Sequence, residues 1–272
     1  MARLFSALSG TRQEQKGIAF AALHEGEPFV IPNPWDAGSA RVLAALGFSA
    51  LATTSSGFAF TLGRLDGGVT LDEFVEHAAE IDRATELPVS VDLENGHGPE
   101  PEATAQAVTR VAEAGAVGAS IEDWDPSGSL YDRDQAVERV AAAVEAARRL
   151  PFPFTLTARA ENHIRGNPDL DDTIARLRAF EQAGADVLYA PGLRTQEEVR
   201  AVCSALTKPV NVLAFPDSTL AELAAAGARR VSVGGGLTWT AIRAFADAAV
   251  RIRDEGDFSG LGTTPPLGDW LA

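Results

Sequence analysis

The sequence has 272 residues, of which 46% are hydrophobic and 22% are charged, and its formal net charge is -15. The hydrophobic content is sufficient for a large core and argues against disorder. The negative charge disfavours nucleic acid and anionic membranes as partners, although a small anionic substrate stays possible. The single cysteine, Cys203, cannot form an internal disulfide, which suits the reducing cytoplasm.

The sequence also gives no sign of a targeting or membrane segment. The apolar stretch within Met1–Gly10 is too short and too interrupted for a secretory signal. No apolar run approaches the roughly 20 residues of a membrane span. We therefore expect a cytoplasmic protein with no membrane partner.

Short apolar runs, several of them rich in β-branched residues, alternate along the chain with alanine-rich helical patterns. The runs predict eight strands: Phe29–Pro32, Ala50–Thr54, Val89–Leu93, Gly118–Glu122, Phe154–Arg159, Val187–Ala190, Val210–Ala214 and Arg230–Gly234. The patterns between and after them predict helices: Ser39–Leu46, Leu71–Thr85, Glu102–Ala114, Arg133–Leu150, Leu170–Ala183, Gln196–Leu206, Thr219–Ala226 and Thr238–Glu255. Four of these helices end at a glycine that suits a left-handed C-cap: Gly47, Gly115, Gly184 and Gly227.

This alternation predicts an α/β fold, a (β/α)8 TIM barrel that forms one domain over residues 1–272. Its core spans about residues 20–255, and residues 256–272 form a C-terminal tail. A doubly wound open sheet is the alternative, but Pro32–Gly38 lacks the glycine spacing of a dinucleotide fingerprint after the first strand.

In such a barrel the active site lies at the carboxyl ends of the strands, where this sequence concentrates acids. Asp66 follows the second strand, Asp92 and Glu94 end the third, Glu122 ends the fourth and Arg159 ends the fifth. Asp92 and Glu94 are two residues apart on a predicted strand and should share a side. An oxygen-rich cluster of this kind would repel itself without a cation, and it favours Mg2+ or Mn2+ over zinc.

Each of these residues also has a structural interpretation. Asp66 can be an ordinary loop acid, and Arg159 can serve only as the ion-pair partner of an acid. Trp35 can pack the rim, and His97 is as suited to a hydrogen-bonding role as to catalysis. Glu122 is harder to explain structurally, because a half-buried acid after an apolar strand is costly.

Five motifs in chain order resemble the isocitrate lyase/phosphoenolpyruvate mutase superfamily, from about Phe20 to Gly236. The motifs are Asn33–Ala40, Ser56–Gly57 followed by Asp66, Val91–Gly98, Ile121–Asp123 and Thr157–Arg159. The resemblance implies that Asp92 is the principal metal-binding residue, Glu94 the second acid and Glu122 an outer-shell acid. It places Arg159 and Asp66 among the catalytic residues. The expected substrate-binding residues are Ser56, Gly57, Phe58, Trp35, Arg159 and Asn211.

The loop after the fourth strand departs from the family pattern. Isocitrate and methylisocitrate lyases carry an acidic cysteine there, whereas Trp124–Tyr131 contains neither cysteine nor histidine. We therefore expect neither activity. The loop Trp124–Asp134 has the composition of a lid, and Tyr131 or Asp125 would replace the missing acid; an ordinary mobile loop is the alternative.

The resemblance implies a Mg2+- or Mn2+-dependent carbon–carbon lyase. Its substrate would be a small anionic 2-oxo or 2-hydroxy (di)carboxylic acid, cleaved through an enolate-like intermediate. A carbon–phosphorus enzyme, either a phosphonopyruvate hydrolase or a phosphoenolpyruvate mutase, is the enzymatic alternative, and a non-catalytic binding barrel is the alternative of another class. The resemblance also implies a homo-oligomer, a tetramer, in which subunits exchange the C-terminal helix and tail.

Overall fold

The computed structural model describes residues 10–271, so most of the N-terminal stretch Met1–Gly10 lies outside the described residues. Eight parallel strands form the main sheet: β1 (Phe29–Ile31), β2 (Leu51–Ala52), β3 (Val89–Asp92), β4 (Gly118–Glu122), β7 (Thr155–Arg159), β8 (Val187–Tyr189), β9 (Val210–Leu213) and β10 (Arg230–Ser232). The short strands β5 (Trp124–Asp125) and β6 (Ser129–Leu130) form an antiparallel hairpin after β4.

The order of the eight strands is β1-β10-β9-β8-β7-β4-β3-β2, which is that of a barrel opened between its first two strands. The amide of Ala52 donates a hydrogen bond of 3.1 Å to the carbonyl of Pro32 across that opening. The ring is therefore nearly closed, and the predicted (β/α)8 architecture is confirmed. All eight predicted strands are present, most of them shorter than predicted by one to three residues.

Helices cover the outside of this ring. They are α1 (Arg12–Glu25), α2 (Ala37–Ala45), α3 (Ser55–Thr61), α4 (Leu71–Ala84), α5 (Pro101–Glu113), α6 (Arg133–Arg148), α7 (Leu170–Gln182), α8 (Gln196–Ser204), α9 (Leu220–Ala225), α10 (Gly236–Glu255) and α11 (Leu267–Trp270). Local chemistry fixes many of their ends. Thr70 and Glu73 form a capping box at the start of α4. Gly115 after α5 has φ 109°, and a side chain there would meet Asp82 at 2.6 Å.

Three helices were missed by the sequence analysis: α1, α3 and the four-residue α11. The Ser55–Gly57 segment, which was assigned to no predicted helix, begins helix α3. Helix α1 lies before the first strand and begins at Thr11, whose side chain accepts the Glu14 amide. Its hydrophobic period is weak, so the pattern did not predict it.

Helix α1 supplies a plug for the amino-terminal end of the barrel. Phe20 is fully buried in one cluster with Ile31, Ala50 and Val117. A Cβ at Gly118 would lie 2.7 Å from the Phe20 ring, so glycine at the start of β4 makes room for the plug. Helix α1 thus covers the amino-terminal end of the barrel, and the cavity that Asn211 and Arg230 line opens among the residues at the carboxyl ends of the strands.

The inside of the barrel is unusually polar. The interiors of such barrels are dominated by branched apolar side chains, yet Thr157, Asn211, Arg230 and Ser232 are all buried here. Asn211 donates a hydrogen bond of 3.0 Å to Ser232, which satisfies part of this polarity internally.

The C-terminal part of the chain is loosely attached to the barrel. Within α10, Thr238 is the buried residue, whereas the Phe245 side chain is 72% exposed. The tail then returns to α2, where Arg41 donates a hydrogen bond of 2.7 Å to the Leu271 carbonyl. Over residues 10–271, no helix combines the length and the apolar character that crossing a bilayer demands.

We predict that Phe20→Ala lowers the free energy of unfolding by about 3–5 kcal/mol, because it empties the plug of the barrel. Ile18→Ala is the matched control, since Ile18 lies on the same helix and is 42% exposed. Urea denaturation of both variants checks the prediction. Equal losses in the two variants would contradict a plug role for Phe20.

Candidate active site

The candidate site is organised around the guanidinium of Arg159 at the carboxyl end of β7. Arg159 Nη1 lies 2.8 Å from Asp92 Oδ1, and Nη2 lies 2.9 Å from both Glu122 Oε2 and Glu161 Oε1. The side chain is 13% exposed. Burial alone would lower the pKa of Arg159, but Glu161, Glu122 and Asp92 together raise it well above its ordinary value. The arginine therefore stays charged.

The strand order explains why these groups meet. β3, β4 and β7 are neighbours in the sheet, and the register places Glu122 directly beside Arg159. Asp92 lies one strand further, at the end of β3. Carboxyl ends of adjacent parallel strands share one rim, and the ion pairs confirm that Asp92 and Glu122 come together with Arg159.

A second arginine compensates part of the acidic charge. Arg165 Nη2 lies 3.2 Å from Glu122 Oε1, and its Nε lies 3.3 Å from Glu161 Oε2. Burial raises the pKa of Glu122, whereas Arg159 and Arg165 oppose that effect by stabilising its carboxylate. The Arg165 guanidinium also lies 4.7 Å from the centre of the Trp124 ring, which ties the β5–β6 hairpin to this cluster.

Glu94 lies in a turn beyond the end of β3, and not on the strand as the sequence analysis assumed. Its φ is 49°, a left-handed conformation, so strand alternation does not place its side chain. Its carboxylate accepts the Gly67 amide at 3.1 Å, and within residues 10–271 no lysine or arginine forms an ion pair with it. Burial, Asp92 and Asp66 raise the pKa of Glu94 to about 7. This corner of the site has an excess of negative charge.

A cavity of about 180 Å³ opens at this rim. Ser55, Ser56, Asp66, Asp92, Arg159 and Asn211 are among its lining residues. An adjoining recess of about 290 Å³ is lined by Asp66, Glu94, Glu122 and Arg165, among others. The predicted residues Ser56, Asp66, Asp92, Arg159 and Asn211 therefore face one cavity, and Glu94 and Glu122 face the neighbouring one.

Three predicted substrate-binding residues, Gly57, Phe58 and Trp35, pack outside the cavity and the recess. A Cβ at Gly57 would lie 2.6 Å from Thr54 Cγ2, so a side chain there would displace helix α3. Phe58 is buried and stacks on His77 at 3.8 Å between ring centres. The Cβ of Trp35 lies against Gly57. None of the three lines the cavity or the recess, and their roles in substrate binding stay predictions.

Tyr131 lies in the core, although it was predicted as an acid carried by a lid. Its side chain is buried, its hydroxyl accepts a hydrogen bond of 3.0 Å from Asn95, and its ring lies 4.2 Å below the guanidinium of Arg139. The hairpin that precedes it is held by the pairing of Trp124 with Leu130. Tyr131 reaches neither the cavity nor the recess here, so its catalytic role stays a prediction that requires this loop to rearrange.

The carboxylates at this rim suit a hydrated Mg2+ and not an enclosed metal cage. Within residues 10–271, no three histidine, cysteine, aspartate or glutamate side chains converge into a preformed cage, so Asp92, Glu94 and Glu122 do not form a closed set of ligands. Mg2+ needs no such cage, because it keeps several waters and takes one or two carboxylates from the protein. Asp92 shares Arg159 with two other acids, and neither Glu94 nor Asp66 forms an ion pair within residues 10–271, so the excess of carboxylate charge fits this hard cation.

Sequence reasoning missed the two residues that complete the cluster. Glu161 is 1% exposed and lies two residues beyond the end of β7, where its amide donates a hydrogen bond of 2.8 Å to Asp123 Oδ1. Its position two residues after the basic end of a predicted strand was a usable signal, because a nearly buried acid needs a cationic partner. Arg165 lies in the following loop, where no periodicity could place it.

Comparison with known proteins gives a consistent result. A family model described as phosphoenolpyruvate phosphomutase matches residues 20–253. The crystal structure of a lyase/mutase-type protein from Burkholderia cenocepacia is 50% identical in sequence, has a TM-score of 0.93, and the match covers 96% of this chain and 97% of that one.

Several of the similar proteins have names that state an activity. Oxaloacetate decarboxylase from Chromohalobacter salexigens is 30% identical, over 86% of this chain and 84% of its own. Oxaloacetate acetylhydrolase, solved with its product oxalate, is 29% identical with a TM-score of 0.84, over 94% of this chain and 93% of its own. The chain therefore belongs to the isocitrate lyase/phosphoenolpyruvate mutase superfamily, whose members include carbon–carbon bond lyases and mutases.

Proposed function

We propose that this protein is a Mg2+-dependent lyase that cleaves a carbon–carbon bond of a small 2-oxo or 2-hydroxy dicarboxylic acid through an enolate-like intermediate. The observation that carries the proposal is the meeting of Asp92, Glu94 and Asp66 with the Arg159 ion-pair cluster at the mouth of a small polar cavity. The names of the oxaloacetate-cleaving relatives support an oxaloacetate-like substrate.

The arrangement explains how such a bond could be broken. Cleavage next to a carbonyl leaves negative charge on the oxygen of an enol-type fragment. Asp92, Glu94 and the outer-shell acid Glu122 would hold Mg2+, which supplies a Lewis acid for that charge. Arg159 gives positive charge beside the anionic end of the substrate, and Ser56 offers a hydroxyl on the same wall.

Asp66 is the acid best placed to move a proton. It is exposed, it lines both the cavity and the recess, and it lies in the loop between α3 and α4. An acid in such a loop can approach and leave the substrate without disturbing the barrel. The β5–β6 hairpin contains no cysteine, which argues against isocitrate and methylisocitrate as substrates.

The proposal is tested by incubating the protein with Mg2+ and a panel of 2-oxo and 2-hydroxy dicarboxylates, with phosphonopyruvate in parallel. We expect release of the smaller carboxylate product, and a fall in turnover of about a hundredfold or more in Asp92→Asn, because one preorganised electrostatic group is lost. Asp72→Asn is the matched control, since the Asp72 side chain lies on α4, is 79% exposed and pairs with Arg110 outside the cavity and the recess.

Three outcomes would contradict the proposal. Phosphate release from phosphonopyruvate alone would favour a carbon–phosphorus enzyme. Full activity in Asp92→Asn would remove the assigned metal ligand. No turnover on any member of the panel would favour a binding barrel without catalysis.

We also propose that the protein is a homo-oligomer, a tetramer, built through α10 and the tail. Trp239, Phe245 and Val250 on this helix are 45%, 72% and 48% exposed, and Phe258 in the tail is 63% exposed. Apolar side chains concentrated on one segment mark an interaction surface. A second copy of the chain is the occupant that the family resemblance implies, by exchange of this helix.

We expect light scattering after size exclusion to show an oligomer that Phe245→Glu shifts towards monomer, because a buried charge would oppose assembly. Ile18→Glu is the control, since Ile18 is 42% exposed on α1, outside α10 and the tail. A monomeric wild-type protein would contradict the proposal.

A further inference from the structure

Arg230 lies deep in the barrel and lines the cavity of about 180 Å³ that Arg159 also lines. It begins β10 and is 5% exposed. Its Nε donates to Asn211 Oδ1 at 2.8 Å, its Nη2 donates to Thr157 Oγ1 at 2.9 Å, and its Nη1 lies 3.2 Å from His24 Nε2. These bonds hold the guanidinium in one position at the floor of the cavity.

All three partners of Arg230 are neutral. His24 Nδ1 lies 2.8 Å from the Phe20 carbonyl, which can only accept, so Nδ1 carries the hydrogen and Nε2 accepts from Arg230. Burial and Arg230 lower the pKa of His24 to about 3, which keeps the imidazole neutral. Over residues 10–271, no carboxylate forms an ion pair with Arg230.

An arginine buried without an opposite charge is an expensive arrangement. Burial lowers the pKa of Arg230 to about 10, so the group still carries its charge near neutral pH. Its three neutral acceptors do not use all the N–H donors of a guanidinium. The floor of the cavity is therefore a positively charged position with unused donors, whereas Arg159 at the mouth is already surrounded by acids.

The strand geometry gives the order of the two arginines along the barrel. Thr157 precedes Arg159 by two residues on β7, a rise of about 6.6 Å along the strand. The Arg230 guanidinium contacts Thr157, so it lies about one layer below Arg159. The cavity that both arginines line has a volume of about 180 Å³. It is therefore large enough for a small organic acid, since an engineered cavity of roughly 150 Å³ binds benzene.

We propose that Arg230 is a specificity-determining residue that binds a second carboxylate of the substrate at the barrel floor, while the reacting 2-oxo acid end lies at the mouth beside Arg159. This assignment rests on the proposed function for the reacting end of the substrate. It restricts the substrate class to dicarboxylates long enough to span the cavity, and it disfavours monocarboxylates with an apolar end.

The test compares two ligands that differ at one end, 2-oxoglutarate and 2-oxopentanoate, by calorimetric titration in the presence of Mg2+. We expect the wild-type protein to bind 2-oxoglutarate about tenfold or more tightly than 2-oxopentanoate, because a charge-assisted hydrogen bond is gained. Arg230→Met should remove this preference, and Arg230→Lys should keep part of it. Arg229→Met is the control, since the Arg229 side chain donates to the Gly26 carbonyl outside the cavity.

A wild-type protein without the preference, or an Arg230→Met variant that keeps it, would overturn the proposal. Equal binding of the two ligands by the wild-type protein would overturn the proposal even if Arg230→Met folded poorly, because that measurement needs no variant. The proposed function can fail separately. If the protein prefers 2-oxoglutarate through Arg230 but turns over no substrate, the lyase proposal fails and the anion site is retained. Turnover without the preference would remove the anion site alone.

Discussion

The interaction on which the site depends is the sharing of one buried guanidinium, that of Arg159, among Asp92, Glu122 and Glu161. Buried ions persist only when opposite charges and hydrogen bonds replace the lost water. Here that requirement joins the ends of β3, β4 and β7, so the acids cannot drift apart. Arg165 adds a second cation from the following loop. The cluster therefore fixes the rim before any substrate binds.

The same cluster leaves one part of the rim with an excess of negative charge. Asp92, Glu94 and Asp66 are not fully compensated by the arginines, and a divalent cation would neutralise them. The floor of the cavity has the opposite character, because Arg230 is buried among neutral partners. A ligand with one metal-chelating end and one anionic end would match the negative rim and the positive floor. The polar interior of the barrel would in this way select the substrate.

Most of the fold could be predicted from the sequence, because strand runs and helix caps are local signals. Thr70–Glu73 and the glycines after the helices marked ends that the structure confirms. Strand alternation failed at Glu94, since the chain leaves β3 at Asp92 and turns. The Arg159 cluster was only half foreseen, because Arg165 comes from a loop. The surroundings of Arg230 involve α1, β7 and β9, and no local pattern could bring these together.

The central claim is that Asp92 and its neighbouring acids bind a divalent cation, and thermal unfolding in a series of Mg2+ concentrations tests it most directly. A ligand that binds the folded state alone stabilises it by about 2.7 kcal/mol at about a hundred times its dissociation constant. The account predicts that the unfolding midpoint rises with Mg2+ in the wild-type protein and in the Asp125→Ala control, but stays unchanged in Asp92→Ala. An equal rise in Asp92→Ala, or no rise in the wild-type protein, would contradict it.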